Sequence, residues 1–131
     1  MELSKLLSEP GLPPVKVLRL VGDSRKVMPG DLFIASSIDP SSRDSHIIEA
    51  QRRGAVAVLT TTTNIKQSGI PIIEKGDLVS NRGELASIFY GHPSKKKFCI
   101  GVTGTNGKTS IAYFVAAIGR LLAFEFGYIG T

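Results

Sequence analysis

Short apolar runs separated by polar, turn-forming stretches recur along most of this chain, with two longer segments of helical period between them. Val15 to Val21 alternates apolar and basic positions, the two-residue period of a half-exposed strand. Asp23-Ser24-Arg25 breaks that strand, and Met28-Pro29-Gly30-Asp31 reads as a turn. Leu32-Phe33-Ile34-Ala35 is continuously apolar, as expected of a strand covered on both faces. Pro40 to Ser45 is polar and irregular and reads as a loop. Ser45 to Arg53 then makes a short helix with Ile47, Ile48 and Ala50 inward, stopped by Gly54. Ala55 to Leu59 is another buried strand, and Ile70 to Glu74 a further one in which Pro71 favours an edge position. Asp77 to Tyr90 has the period of a helix using Leu78, Leu85, Ile88 and Phe89, ended by Gly91 and Pro93. Strands alternating with helices imply an α/β layer structure.

The same pattern resumes near the C-terminal end with distinctive chemistry. Phe98-Cys99-Ile100-Gly101-Val102-Thr103 predicts a short buried strand, and it breaks into Gly104-Thr105-Asn106-Gly107-Lys108-Thr109-Ser110. Ile111, Phe114, Val115, Ile118, Leu121 and Leu122 follow at the spacing of one buried helical face. Gly104 and Gly107 let backbone N–H groups approach phosphate oxygens closely. Lys108 supplies a point charge for the β- and γ-phosphates, Thr109 a hydroxyl for Mg²⁺, and the helix its positive N-terminus. The strict G-x-x-x-x-G-K-[ST] spacing is not met, because Val102 stands where its first glycine belongs; the loop is a Gly-x-x-Gly-Lys-Thr variant. The competing reading is a Gly-rich turn with a surface lysine, and strand, loop and helix in the right order argue against it.

Composition narrows the class. The chain has 131 residues, enough for one domain or for a small domain plus part of another. Its 42% hydrophobic content supports a core, and no apolar stretch of about 18 or more residues suggests a membrane span. Met1-Glu2-Leu3-Ser4-Lys5 lacks a basic n-region followed by an apolar core, so a secretory signal is not expected. The single cysteine, Cys99, lies in the predicted strand and is expected to be a buried core residue in a reducing compartment. Net charge is +5, which suits anionic, phosphorylated substrates. Lys95-Lys96-Lys97 has no interleaved aromatics and reads as a solvated linker, so neither nucleic acid nor membrane is an expected partner.

Gly101-Val102-Thr103-Gly104-Thr105-Asn106-Gly107-Lys108-Thr109-Ser110 closely resembles the ATP loop of the Mur ligases, the ATP-dependent amino-acid ligases of peptidoglycan synthesis, and of the related folylpolyglutamate and cyanophycin synthetases. The first hundred residues choose among them. Asp23 to Ala35 looks like the N-terminal signature shared by the MurE and MurF branches, Ala50 to Leu59 like their next helix and strand, and Phe89-Tyr90-Gly91-His92-Pro93-Ser94 is typical of MurE. The resemblance runs from about residue 15 to residue 131, and its nearest branch is MurE.

That resemblance implies a UDP-substrate-binding domain over residues 1–94 and, over 95–131, the start of a P-loop-like central ATP-binding domain, its first β-α-β unit. It implies that Ser24 and the neighbouring Gly22 contact the nucleotide of UDP-N-acetylmuramoyl-L-alanyl-D-glutamate, with Asp39, Pro40 and Ser41 as positional equivalents of further contacts. The loop after Ala35, in which they lie, departs from the family: Ile38 replaces a glycine, and Ser42-Arg43 replaces an Asp-Gly pair. His46 is expected to be structural. Gly104, Thr105, Asn106, Gly107, Lys108, Thr109 and Ser110 would hold ATP, with Lys108 as the catalytic charge and Thr109 on Mg²⁺. The implied reaction adds a diamino acid, meso-diaminopimelate or L-lysine, through an acyl phosphate in the cytoplasm, in a monomer. A non-catalytic UDP-sugar or nucleotide-binding module is the alternative.

On this reading the chain is a fragment inactive alone, since the second metal site and the amino-acid-binding domain of the family have no counterpart here. Gly127-Tyr128-Ile129-Gly130-Thr131 would be the second strand of the ATP unit. Both strands and their helix then expose apolar faces that a parallel sheet normally buries. Residues 98 to 131 are therefore expected to be weakly stabilised or to pack in a way unlike the family. Hydrogen exchange checks this: strong amide protection throughout that segment in a monomer contradicts it.

Overall fold

The computed structural model describes residues 1–129, and the chain divides into two compact units, residues 1–93 and the residues from Ser94 on. In order, the elements are α1 (Leu3–Leu7), β1 (Arg19–Val21), a 3₁₀ turn (Ser24–Lys26), β2 (Asp31–Ala35), α2 (Pro40–Arg52), β3 (Ala57–Thr60), β4 (Ile72–Glu74), α3 (Leu78–Phe89), a second 3₁₀ turn (Pro93–Lys96) and α4 (Lys108–Leu121).

The first unit is built on a four-stranded, wholly parallel sheet in the order β1-β2-β3-β4. Register pairs Leu20 with Leu32, Leu32 with Ala57, and Val58 with Ile72. All five residues of β2 and all four of β3 are buried, because both faces of the sheet are covered. Leu32, Ile34, Ala57 and Leu59 face a core with Leu3, Leu6, Leu78 and Leu85 of α1 and α3. Their neighbours Phe33, Ala35 and Val58 face the opposite core, with Ile47 and Ala50 of α2. The α/β class expected from the alternating pattern is therefore the observed one. β4 is an edge strand, and the carbonyl of Pro71 just before it accepts a 2.9 Å bond from the Val58 N–H.

Two readings of the pattern are corrected in this unit, and one element, α1, has no counterpart among them. The stretch from Pro40 to Ser45 is the first half of α2 and not a loop. Asp39 caps that helix by accepting from the Ser42 N–H at 2.7 Å, and Pro40 takes the first helical position, where no N–H is needed. Ile48, expected inward, is exposed. The five-residue α1 gives too few turns for a periodic signal. It is held instead by long-range bonds, from the Met1 amino group to the Val17 carbonyl at 2.9 Å and from the Leu3 N–H to the Val15 carbonyl at 2.8 Å. Gly54, as expected, ends α2: its φ is +93°, and an added Cβ would lie 3.0–3.3 Å from Pro29.

In the second unit the helix is formed and the flanking strands are not. Residues 98–103 and 127–129 have no strand partner among the described residues; Gly130 and Thr131 of the expected second strand lie outside them. A parallel strand has no ladder of its own, so it forms only beside another. Phe98 is 90% exposed, and Cys99, expected in a buried strand, is exposed too. The expected apolar face of α4 is likewise open, with Ile111, Phe114, Ile118, Leu121 and Leu122 exposed. What the helix buries is Ala116 and Gly119, the latter under the ring of Phe126. Periodicity marks the face that can be covered, and a cover has to be supplied.

A buried charge opens β2. Asp31, 1% exposed, takes a bidentate pair from Arg19 across the β1–β2 ladder at 2.9 and 2.6 Å, and a bond from the Met28 N–H at 2.8 Å. The Arg19 guanidinium holds the Asp31 carboxyl below the usual carboxylate range. A carboxyl lowered in the folded state stabilises above its unfolded value, about 3.9, and that contribution is lost as pH falls through the folded value. Asp31→Ala should cost about 1–3 kcal/mol near neutral pH, and the loss should shrink towards acid. Urea denaturation of both proteins across pH checks it.

Candidate functional site

Because the strands are parallel, the loops after β1, β2 and β3 leave the sheet at one edge, the carboxyl edge at which open α/β sheets bind ligands. Gly22 and Ser24 follow β1, Asp39, Pro40 and Ser41 follow β2, and Thr61 to Asn64 follow β3. The topology thus brings the nucleotide-contact residues expected from the sequence to a single rim.

Their local geometry is specific. Nothing lies within 4 Å of where a Cβ on Gly22 would be, so this stretch of backbone is open. Asp23 caps the 3₁₀ turn by accepting from the Arg25 N–H at 3.1 Å. Arg25 also grips its carboxylate at 3.0 Å through both Nε and Nη2, which lowers the Asp23 pKa to about 2. Ser24 is 5% exposed and donates its hydroxyl to Glu49 of α2 at 2.5 Å. Glu49 accepts from Arg53 as well, and these bonds, the serine's foremost, lower its pKa. With its proton committed to Glu49, the Ser24 oxygen can still accept from a ligand N–H. Asp39 and Pro40 are the cap and first residue of α2, and the Ser41 carbonyl accepts from the Ser45 hydroxyl at 2.9 Å.

Several further rim residues are not among the contacts expected from the sequence. Arg43 is buried and bonds the Ser37 carbonyl and the hydroxyls of Thr61 and Thr62. Asp44 accepts from Thr63 at 2.7 Å and from the Asn64 side chain at 3.2 Å, and the threonine bond above all lowers its pKa. Arg82 of α3 donates to the Ser36 hydroxyl at 3.0 Å. Arginines on two helices therefore hold the short segment that follows β2.

The second candidate site lies within the second unit. Gly107 precedes α4 with φ +74°, a left-handed conformation that favours glycine. The first bond of the helix runs from the Ile111 N–H to the Gly107 carbonyl at 2.9 Å. Lys108 folds its ammonium back over the loop, donating to the carbonyls of Gly104 at 2.6 Å and Thr105 at 3.3 Å. Thr105, Asn106, Thr109 and Ser110 are exposed around it. A flexible cation above a glycine loop at a helix N-terminus is an arrangement that can receive phosphate oxygens. No group of three or more His, Cys, Asp or Glu able to hold a metal occurs among the described residues. Oxygen from the Thr109 hydroxyl is nevertheless a suitable donor for a hard cation that keeps its remaining shell from water and phosphate.

No protein-family model matches the chain. It is 39% identical over 134 residues to a UDP-N-acetylmuramoyl-L-alanyl-D-glutamate--2,6-diaminopimelate ligase of Pseudomonas putida, covering 100% of this chain and 27% of that one. A ligase of the same name from Coxiella burnetii is 40% identical over 121 residues, covering 89% and 24%. The chain thus spans about a quarter of the length of these relatives. A solved structure of such a diaminopimelate ligase superposes with a TM-score of 0.72 at 25% identity, over 94% of this chain and 26% of that one. The MurF ligase of Thermotoga maritima in complex with ADP gives 0.64 at 25% identity, over 84% and 25%.

The cap at the head of α2 can be tested directly. Asp39→Ala should lower the thermal midpoint by a few degrees and speed amide exchange at residues 41–43, while Asp39→Asn should stay near wild type. Circular dichroism melts with hydrogen exchange measure both.

Proposed function

We propose that this chain, which belongs to the Mur ligase family, serves the MurE-type reaction: residues 1–94 hold the uridine nucleotide of the muramoyl dipeptide substrate, and residues 95–131 begin the domain that binds ATP. The observation that carries this reading is that one chain matches diaminopimelate ligases over nearly its whole length while presenting both a parallel-sheet rim and a glycine loop at the head of α4.

At the rim, the open backbone at Gly22 lets a ligand approach closely, and the Ser24 oxygen accepts from a uracil or ribose donor while Glu49 keeps its proton. Asp39, Pro40 and Ser41 shape the neighbouring wall through the start of α2. At the loop, Lys108 leaves the Gly104 and Thr105 carbonyls for the β- and γ-phosphates of ATP, and the amides of residues 104–110 meet the phosphate oxygens. Thr109 would hold Mg²⁺ through its hydroxyl, and that ion would supply neutralisation of phosphate charge. The γ-phosphoryl group passes to the D-glutamyl carboxylate, releasing ADP. The amine of a diamino acid then attacks the acyl phosphate, forming the amide bond and releasing phosphate. The contribution of these residues is positioning and electrostatics, with no covalent intermediate on the protein. Such a reaction, consuming ATP and a uridine nucleotide, belongs to the cytoplasm, and a monomer suffices for it; the described residues include no helix long and apolar enough to cross a membrane.

The full reaction belongs to the whole ligase, and the part described here binds without turnover. Calorimetry with UDP-N-acetylmuramoyl-L-alanyl-D-glutamate and with Mg-ATP tests this. Wild type should bind the UDP substrate, and Lys108→Ala should abolish ATP affinity while leaving the UDP substrate unaffected. Unchanged ATP binding in that variant rules out the placement of the phosphate site, and an absence of UDP-substrate binding in wild type rules out the nucleotide reading of the rim.

A further inference from the structure

Arg43 stands apart from the other charged groups of the first unit. It is 6% exposed, and its partners are neutral: Nη1 donates to the Ser37 carbonyl at 2.8 Å and the Thr61 hydroxyl at 3.0 Å, and Nη2 to the Thr62 hydroxyl at 3.0 Å. Its Nε is buried with no hydrogen-bond partner among the described residues. The nearby carboxylates are engaged elsewhere, Asp39 on the Ser42 N–H and Asp44 on Thr63 and Asn64. Asp39 and Asp44 feel the charge of Arg43 without bonding it directly, and a buried guanidinium with neutral hydrogen-bond partners and an N–H unsatisfied is costly to fold around. What it does in return is mechanical: from one turn of α2 it reaches the segment after β2 and the segment after β3 at once.

We infer that Arg43 is a positioning residue for the nucleotide, a planar fork that locks the post-β2 segment, residues 36–39, onto the post-β3 segment, residues 61–64, and so fixes the rim on which the ligand lies. This rests on the reading of the rim as a uridine-nucleotide site. A guanidinium suits the task because its donors diverge in a fixed plane, whereas a lysine in the same place keeps the charge with a single donor centre. The segment after β2 has no ladder partner beyond Ala35, where the β2–β3 register ends, so side-chain bonds from Arg43 and Arg82 are what hold it.

The test compares wild type, Arg43→Ala and Arg43→Lys by calorimetry with UDP-N-acetylmuramoyl-L-alanyl-D-glutamate and by hydrogen exchange. Arg43→Ala should bind about tenfold more weakly or worse, with faster exchange at 36–39 and 61–64 and retained protection in β2 and β3. Arg43→Lys should also bind more weakly than wild type and show the same local loosening. Wild-type affinity in Arg43→Lys means that charge alone suffices and overturns the inference, as does unaltered exchange at the two segments in either variant. Should Arg43→Ala fail to fold, Arg43→Lys and Arg43→Gln carry the same comparison. Failure of the nucleotide reading looks different: wild type itself does not bind the UDP substrate, and Arg43 then has no nucleotide to position.

Discussion

A parallel sheet has to be covered on both faces and paired along both sides of its inner strands, and the behaviour of both units follows from that constraint. In the first unit it is met by α1 and α3 on one face and α2 on the other, so β2 and β3 are buried at every position. Such strands carry no polar face on which to place function. The one charge in β2, Asp31, sits at its first residue and is neutralised by Arg19 from the neighbouring strand. In the second unit the described residues supply one α-helix and no strand, and the apolar segments around it have no ladder.

With the sheet closed to solvent, polar chemistry concentrates in the loops at its carboxyl edge, where backbone groups have no ladder partners and side chains must satisfy them. Side-chain bonds at the rim do this. Asp39 takes a helix N–H, Arg43 and Arg82 take the segment after β2, and Asp44 takes Thr63 and Asn64 after β3. Most of these groups lie on the first turns of α2, so the helix that covers one face of the sheet also shapes its rim. Ser24 belongs to the same design, since its partner Glu49 lies further along α2.

The sequence made the rigid, repetitive parts legible. Leu32 to Ala35, Ala55 to Leu59 and Leu78 to Phe89 reveal themselves because burial on a strand or helix imposes a period on residue type. Local chemistry was legible where one residue decides it, as at Gly54 and at Gly107-Lys108. What escaped depends on residues far apart in the chain. The polar start of α2 looks like a loop until Asp39 is recognised as its cap, and α1 owes its place to bonds with Val15 and Val17. Arg43 reads as a surface arginine on any count of charges, because its partners lie after two different strands. The apolar face of α4 fails in the opposite sense: its period is clear, and its cover is not among the described residues.

The glycine loop before α4 shows how far local information reaches. The left-handed Gly107, the helix start and the fold of Lys108 over its own carbonyls are all made within residues 104–111, and they form here without a strand in front of them. Orientation is another matter. A phosphate site works because a strand held in a sheet fixes the loop relative to the atoms that react, and electrostatic stabilisation depends on donors that do not have to reorganise. The loop's local geometry is therefore made by its own residues, while a fixed orientation needs a sheet beside it, and no strand flanks it among the described residues. The same division holds at the rim of the first unit, where Ser37, Thr61 and Thr62 lie on segments beyond the ladder and the buried fork of Arg43 ties those segments together.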